Sequence, residues 1–127
     1  MAVQTPGINI GICTAAADLS AASNQFRAVR VTAAFAVNLT NAAGQATIGI
    51  LQNKPASGQP ADIVMVGVSK AVAGAAITVG SEVMAGADGR IITAATAGSN
   101  VIGVALEAAA NANEVITVAL NAGAAIV

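Results

Sequence analysis

Strand-length apolar segments recur along this chain, cut apart by glycine. After residue 73, Gly74, Gly80, Gly86, Gly89, Gly98 and Gly103 set off the segments Ala76–Val79, Glu82–Met84, Arg90–Ala94 and Val101–Leu106, and Glu114–Leu120 follows. Short strands with a turn signal about every 8 to 12 residues specify an all-β fold, a small β-barrel or β-sandwich-like domain. Ala87-Asp88-Gly89-Arg90 is the sharpest of these turns, because Asp-Gly supplies the positive-φ positions of a tight hairpin. The glycine spacing is irregular and no near-exact repeat is present, which argues against a solenoid.

The first half of the chain carries the same signal in longer pieces. From Ala28 to Leu39, Val29, Val31, Ala33, Phe35, Val37 and Leu39 alternate with Arg30, Thr32 and Asn38, the period of one half-buried strand. Thr40 to Gln45 reads as a turn and Ala46 to Gln52 as the returning strand of a hairpin. Pro55, Gly58 and Pro60 then interrupt hydrogen bonding in what should be the longest surface loop. Asp62 to Val72 is rich in β-branched residues and too uniformly apolar for a strand with one wet face, so it is expected in the core with both faces covered. Ala108 to Asn113, between two strong strands, reads as a loop. Residues 1–25 show only a brief alternation of Ile8, Ile10 and Ile12 and read as an extended N-terminal arm, with a short helix over Ala15–Ala22 as a secondary option. Residues 26–127 are then the β-rich body, and 127 residues suit one domain rather than two.

Composition narrows function by exclusion. Histidine, tryptophan and tyrosine are absent and charged residues make up 9% of the chain, so imidazole bases, Ser-His-Asp or Cys-His pairs and His-containing zinc sites are ruled out. The chain is expected not to be an enzyme. Five basic and six acidic residues, scattered singly, offer no face that could neutralise several phosphates, and nucleic-acid binding is not expected. The longest uncharged stretch, Val31 to Asn53, is broken by Asn38, Thr40, Asn41, Gly44 and Gln45, so no membrane helix is expected. No Lys or Arg precedes the first apolar residues, unlike a secretory signal, and the chain is read as made and kept in the cytoplasm.

No motif reverses these exclusions. The glycine pairs lack the Lys-Ser/Thr of a phosphate loop, and the isolated carboxylates lack the spacing of a calcium loop. Cys13 has no partner in sequence and reads as apolar filler. Lys54 and Lys70 lack the desolvated, partnered setting of an amine nucleophile. A biotinyl or lipoyl carrier domain would put a lysine at the hairpin tip, and Ala87–Arg90 has none. No cofactor is expected.

The order of several segments resembles one known family. Gly49-Ile50-Leu51-Gln52-Asn53-Lys54-Pro55, Val66-Gly67-Val68-Ser69-Lys70, Ala76-Ile77-Thr78-Val79-Gly80-Ser81-Glu82-Val83, Ala87-Asp88-Gly89-Arg90 and Val101-Ile102-Gly103-Val104-Ala105-Leu106-Glu107 are similar, in sequence and spacing, to the capsid decoration or cement proteins of tailed bacteriophages, over about residues 45 to 120. The resemblance implies a β-rich virion protein, often a homotrimer, that sits on the outer surface of the expanded head and clamps neighbouring major capsid protein subunits. It also implies that the protein, made in the host cytoplasm, ends in the virion. Two alternatives share parts of the composition: a structural β module of a tail or other surface assembly, and a small carrier or ligand-binding barrel. The paucity of aromatics, 2% of residues, counts against the barrel, which needs a lined pocket. A chain that is 56% apolar is expected to hide surface in an oligomer. Ile8, Ile10 and Ile12 are the expected capsid or subunit contacts, as an arm that adds a strand to a partner's sheet edge. The competing reading makes Ile8–Ile12 the first strand of the chain's own sheet.

Overall fold

The structure is a computed structural model describing residues 7–94 and 99–126. It is all-β, as expected. The strands are β1 (Ile8–Ile10), β2 (Thr14–Ala15), β3 (Ala28–Ala33), β4 (Ala36–Leu39), β5 (Gly49–Leu51), β6 (Ile63–Val72), β7 (Glu82–Ala85), β8 (Ile91–Thr93), β9 (Asn100–Ala105) and β10 (Val115–Ile126). They form one sheet in the order β2-β4-β3-β5-β6-β10-β9-β7-β8, with β1 added on β6. Apart from the parallel β2–β4 pair every ladder is antiparallel, so short connections suffice.

The sheet curls but does not close into a barrel. β8 has three residues and reaches back toward the end of β6 only through one bridge, Ala73 to Ile91, and the Gly74 N–H bonded to the Ile91 carbonyl at 2.7 Å. At the other end the outer edge of β2 is taken up by the loop after β5. Ala15 donates to Gln59, and Gly58 and Ala61 donate to Ala15 and Cys13. The outer edge of β2 is therefore covered by the chain's own loop and that of β8 is met at Ile91, which blunts both ends of the sheet against further pairing.

The ten-residue strand β6 is the spine, in agreement with the apolar run at Asp62–Val72. Val64 pairs with Ile50 of β5 and with Asn9 of β1, so those strands lie on opposite edges, and β10 pairs from Val66 to Val72. The spine's expected cover on both faces is corrected, because only one of its faces is fully covered: Ser69 and Ala71 are completely buried, whereas Val66 is exposed. The core lies in two groups. Ile50, Val64, Ile91, Ile102, Ile116 and Val118 belong to the larger, and Cys13, Leu19, Val29, Val37, Leu51 and Ile63 to the smaller. Small side chains let strands approach closely: a Cβ on Gly103 of β9 would overlap the Ala119 carbonyl oxygen of β10. The β7–β8 hairpin forms where Asp-Gly placed it, with Gly89 at φ +83° and the Gly86 N–H bonded to the Arg90 carbonyl at 2.7 Å.

Three further local expectations are corrected. Ala28–Leu39 is two strands, not one. The turn at Ala34–Phe35 pairs Ala33 with Ala36, odd with even, but a register shift between Val31 and Ala33 then pairs Val31 with Val37 and Val29 with Leu39, odd with odd, so the apolar alternation stays in phase and the turn is hidden from a period-two reading. Ala76–Val79 is no strand; Ile77 is buried and makes a single bridge to Ala109. No α-helix spans Ala15–Ala22, because Thr14–Ala15 is paired with β4 and only Ala22–Asn24 makes a 3-10 turn. Within the segment read as an extended N-terminal arm, residues 7–25 run along the body: Ile8–Ile10 pairs with the chain's own β6, and Cys13, Ala15 and Leu19 are buried. The Leu19 N–H is bonded to the Pro55 carbonyl at 2.8 Å, which anchors this stretch against the long loop.

Candidate docking surface

What the sheet leaves uncovered is apolar. Cross-strand partners face the same side, so the register aligns Val68, Ala119, Val104 and Glu82 in a row across β6, β10, β9 and β7. The adjacent row joins Ile8, Val66 and Asn121 across β1, β6 and β10. Val66, Val104, Leu106 and Val115 are all at least a third exposed, and Ile8 is 61% exposed. The opposite side of the same strands holds Ser69, Ala71, Ile116, Val118, Leu120 and Ala105, all buried. One face thus supplies the core and the other is open. On the open face a shallow recess of about 310 Å³ lies over Val104 and Ala119, with Glu82 and Asn121 among its walls and atoms of Val101, Gly103 and Leu120 at its floor.

A second apolar group stands at the β3–β4 turn. Phe35 is 64% exposed and adopts φ 55°, a conformation in which glycine or asparagine is favoured. Its carbonyl accepts the Thr14 N–H at 2.8 Å, which ties the start of β2 to the hairpin. Val31 on β3 and Ile12, two residues before Thr14, are also exposed.

Of the three isoleucines expected to make contacts, Ile8 lies on the open face opposite Val66, Ile10 pairs with Ile63 in the ladder, and Ile12 is 69% exposed beyond the end of β1. A register shift between Ile8 and Asn9 breaks the alternation, so β1 does not run in the single phase that the sequence suggested. Asn9 Nδ2 donates to Asp62 Oδ1 at 2.9 Å and helps hold the strand in place. Sequence reasoning missed Phe35, Val66, Val104 and Leu106 as surface groups, because an apolar residue in a β segment reads as core. Phe35 had one available signal, as one of two phenylalanines in a chain with no other aromatic residue.

Polar groups around the open face are engaged in structure. Glu107 Oε1 accepts both the Thr117 hydroxyl, at 2.6 Å, and the Thr117 N–H, at 2.8 Å. These bonds, the hydroxyl first, hold the Glu107 carboxyl below its usual range. The Lys70 ammonium lies 5.6 Å from the centroid of the Phe26 ring. At the β7–β8 turn Asp88 and Arg90 pair at 2.7 Å, and the hydrogen bond from Arg90 lowers the Asp88 carboxyl in the same way. Among the described residues no group of three or more His, Cys, Asp or Glu side chains could hold a metal ion, and no helix is long and apolar enough to cross a membrane.

A small β domain with blunted edges and an open apolar sheet face is a structural module built for surface contact. The chain matches the phage cement protein family over residues 14–120, and it belongs to that family. It is therefore a phage structural protein associated with the capsid. Its fold is similar to that of the "head fiber gp8.5 N base in bacteriophage phi29", with a TM-score of 0.66 at 17% identity over 89% of this chain and 92% of that one. No curated protein matches it.

Proposed function

We propose that this protein is a decoration protein that binds the outer surface of a phage capsid as a homotrimer and stabilises contacts between neighbouring major capsid protein subunits, without catalysis. Membership of the cement family carries this reading, and the uncovered apolar surface supports it. Burying apolar area contributes about 25 cal/mol per Å², so a few side chains such as Ile8, Val104 and Leu106 would supply several kcal/mol per site before ordering costs. Many identical sites on one shell then multiply a modest contact. β1, with Ile8, Ile10 and Ile12, is proposed to contribute to these contacts, either where it lies on β6 or exchanged onto a partner. The structural role leaves no step for a nucleophile or base.

The test is cosedimentation of the purified protein with expanded capsids that lack it, followed by heating of the loaded and bare particles. Binding confined to the expanded shell, together with a higher disruption temperature, is the expected result. Absence of binding, or binding without any gain in particle stability, refutes the reading. Deleting residues 1–12 while keeping Cys13 onward tests β1 separately: the body should fold and bind capsids more weakly. Undiminished binding removes β1 from the contact.

A further inference from the structure

Asp88-Gly89, at the β7–β8 turn, is the one place in the 127 residues where an aspartate or asparagine precedes glycine; Asp18 is followed by Leu19 and Asp62 by Ile63. That pair has a chemistry of its own. The backbone nitrogen after an aspartate can attack the side-chain carboxyl carbon, and glycine, without a Cβ, hinders the approach least. The protonated carboxyl loses its hydroxyl as water, the nitrogen gives up its proton, and a five-membered succinimide closes. Water then opens the ring at either carbonyl and returns aspartate or leaves isoaspartate, in which the main chain runs through the side chain and is one carbon longer. One water is released and one consumed, and no other reactant is needed.

The turn exposes this pair to water and at the same time clamps it. The Asp88 side chain is 46% exposed, yet both of its oxygens are engaged: Oδ1 accepts the Arg90 N–H at 3.2 Å, and Oδ2 accepts Arg90 Nε at 2.9 Å and Nη2 at 2.7 Å. The same bonds from Arg90 hold the carboxyl below its usual range, so the protonated form that can lose water is scarce at neutral pH. The backbone is fixed as well. The Asp88 carbonyl accepts Arg27 Nη1 at 2.9 Å and the Gly89 carbonyl accepts the Ala28 N–H at 2.7 Å, and turning the Gly89 nitrogen onto the carboxyl carbon disturbs both bonds. We propose that Asp88 is the site at which this chain isomerises, and that the clamp by Arg90 holds the reaction off, so that it runs through local opening of the β7–β8 hairpin. The added carbon would fall in a turn where a Cβ on Gly89 already stands 3.0 Å from the Ala28 oxygen, so isoaspartate costs the bond from Ala28 that ties the hairpin to β3.

Neither the site nor the clamp depends on how the protein meets the capsid. The experiment is incubation of the purified protein at elevated temperature and neutral pH, the wild type both folded and in concentrated urea, beside folded R90A and E107Q. Cleavage after glutamate releases a peptide whose only aspartate is Asp88, and electron-transfer fragmentation separates isoaspartate from aspartate at equal mass. Isoaspartate at Asp88 should form about tenfold or more faster in urea than in the folded wild type, where only the opened hairpin reacts. R90A, with unchanged circular dichroism, should react about two- to fivefold faster than the folded wild type, the factor that a partly exposed ion pair supplies. R90Q replaces R90A if the latter loses its β-type spectrum. E107Q, which removes the carboxylate bonded to Thr117, should keep the wild-type rate, because its effect on stability lies away from the turn. No isoaspartate at Asp88 in urea, a folded rate equal to that in urea, a Arg90 variant at the wild-type rate, or E107Q accelerated as much as R90A each overturns the proposal.

Discussion

Leu19 is the residue that most directly tests whether the N-terminal stretch is part of the folded body. Its side chain is 3% exposed and packs with Val29, Val37, Leu51 and Ile63, while its N–H is bonded to Pro55. Leu19→Ala removes the transfer energy of the lost methyl and methylene groups and leaves a cavity, a cost of about 2–5 kcal/mol. The loops on both sides are fixed by backbone bonds from Thr14 to Phe35, Ala16 to Val37 and Leu19 to Pro55, which limits collapse into the cavity and favours about 3 kcal/mol or more. For a domain of this size 1 kcal/mol lowers Tm by roughly 3–6 °C, so L19A should melt about 10 °C or more below the wild type. Ile12→Ser is the control: at 69% exposure it should shift stability by about 0.5 kcal/mol or less. The assay is urea or thermal unfolding followed by far-ultraviolet circular dichroism, both variants beside the wild type. An L19A variant within about 1 kcal/mol of the wild type would falsify the packing of Leu19 in the smaller core group and favour an arm that does not depend on the body.

Gly103→Ala should destabilise by about 1–3 kcal/mol in urea titration, since a Cβ there meets the Ala119 backbone oxygen, which cannot rotate away; a neutral substitution would contradict the β9–β10 approach. Because the Glu107 carboxyl is held below its ordinary 4.5, its bonds to Thr117 contribute stability that is present above that value and lost as pH falls through the lowered folded one. Unfolding at a series of pH values should therefore show a loss of stability below about pH 4.5 that is smaller in E107Q; identical pH slopes for the two proteins would count against it. Asp88→Asn removes a partly exposed ion pair with Arg90 and should cost less than about 1 kcal/mol, measured by thermal melting.

The sequence by itself determined the class of fold, because alternation, β-branched runs and glycine punctuation are local properties that survive without tertiary context. It placed β6, β9, the β7–β8 turn and the long loop after β5 for the same reason, and the ordered segments from Gly49 to Glu107 pointed to the family that the chain belongs to. The break at Ala34–Phe35 was not legible, since the register shift between Val31 and Ala33 restores odd-to-odd pairing beyond the two-residue turn and leaves the pattern unchanged, and no glycine or proline marks it. Nor could local pattern say whether Ile8–Ile10 would find a sheet within its own chain, or that Leu19 would fill a core lined by residues 10 to 44 positions away. Only the tertiary structure decided which face of β6, β10 and β9 is covered. In a chain this rich in alanine and valine both faces of those strands are apolar, so the pattern carries no inside and outside, and the choice is made by which side the other strands pack against.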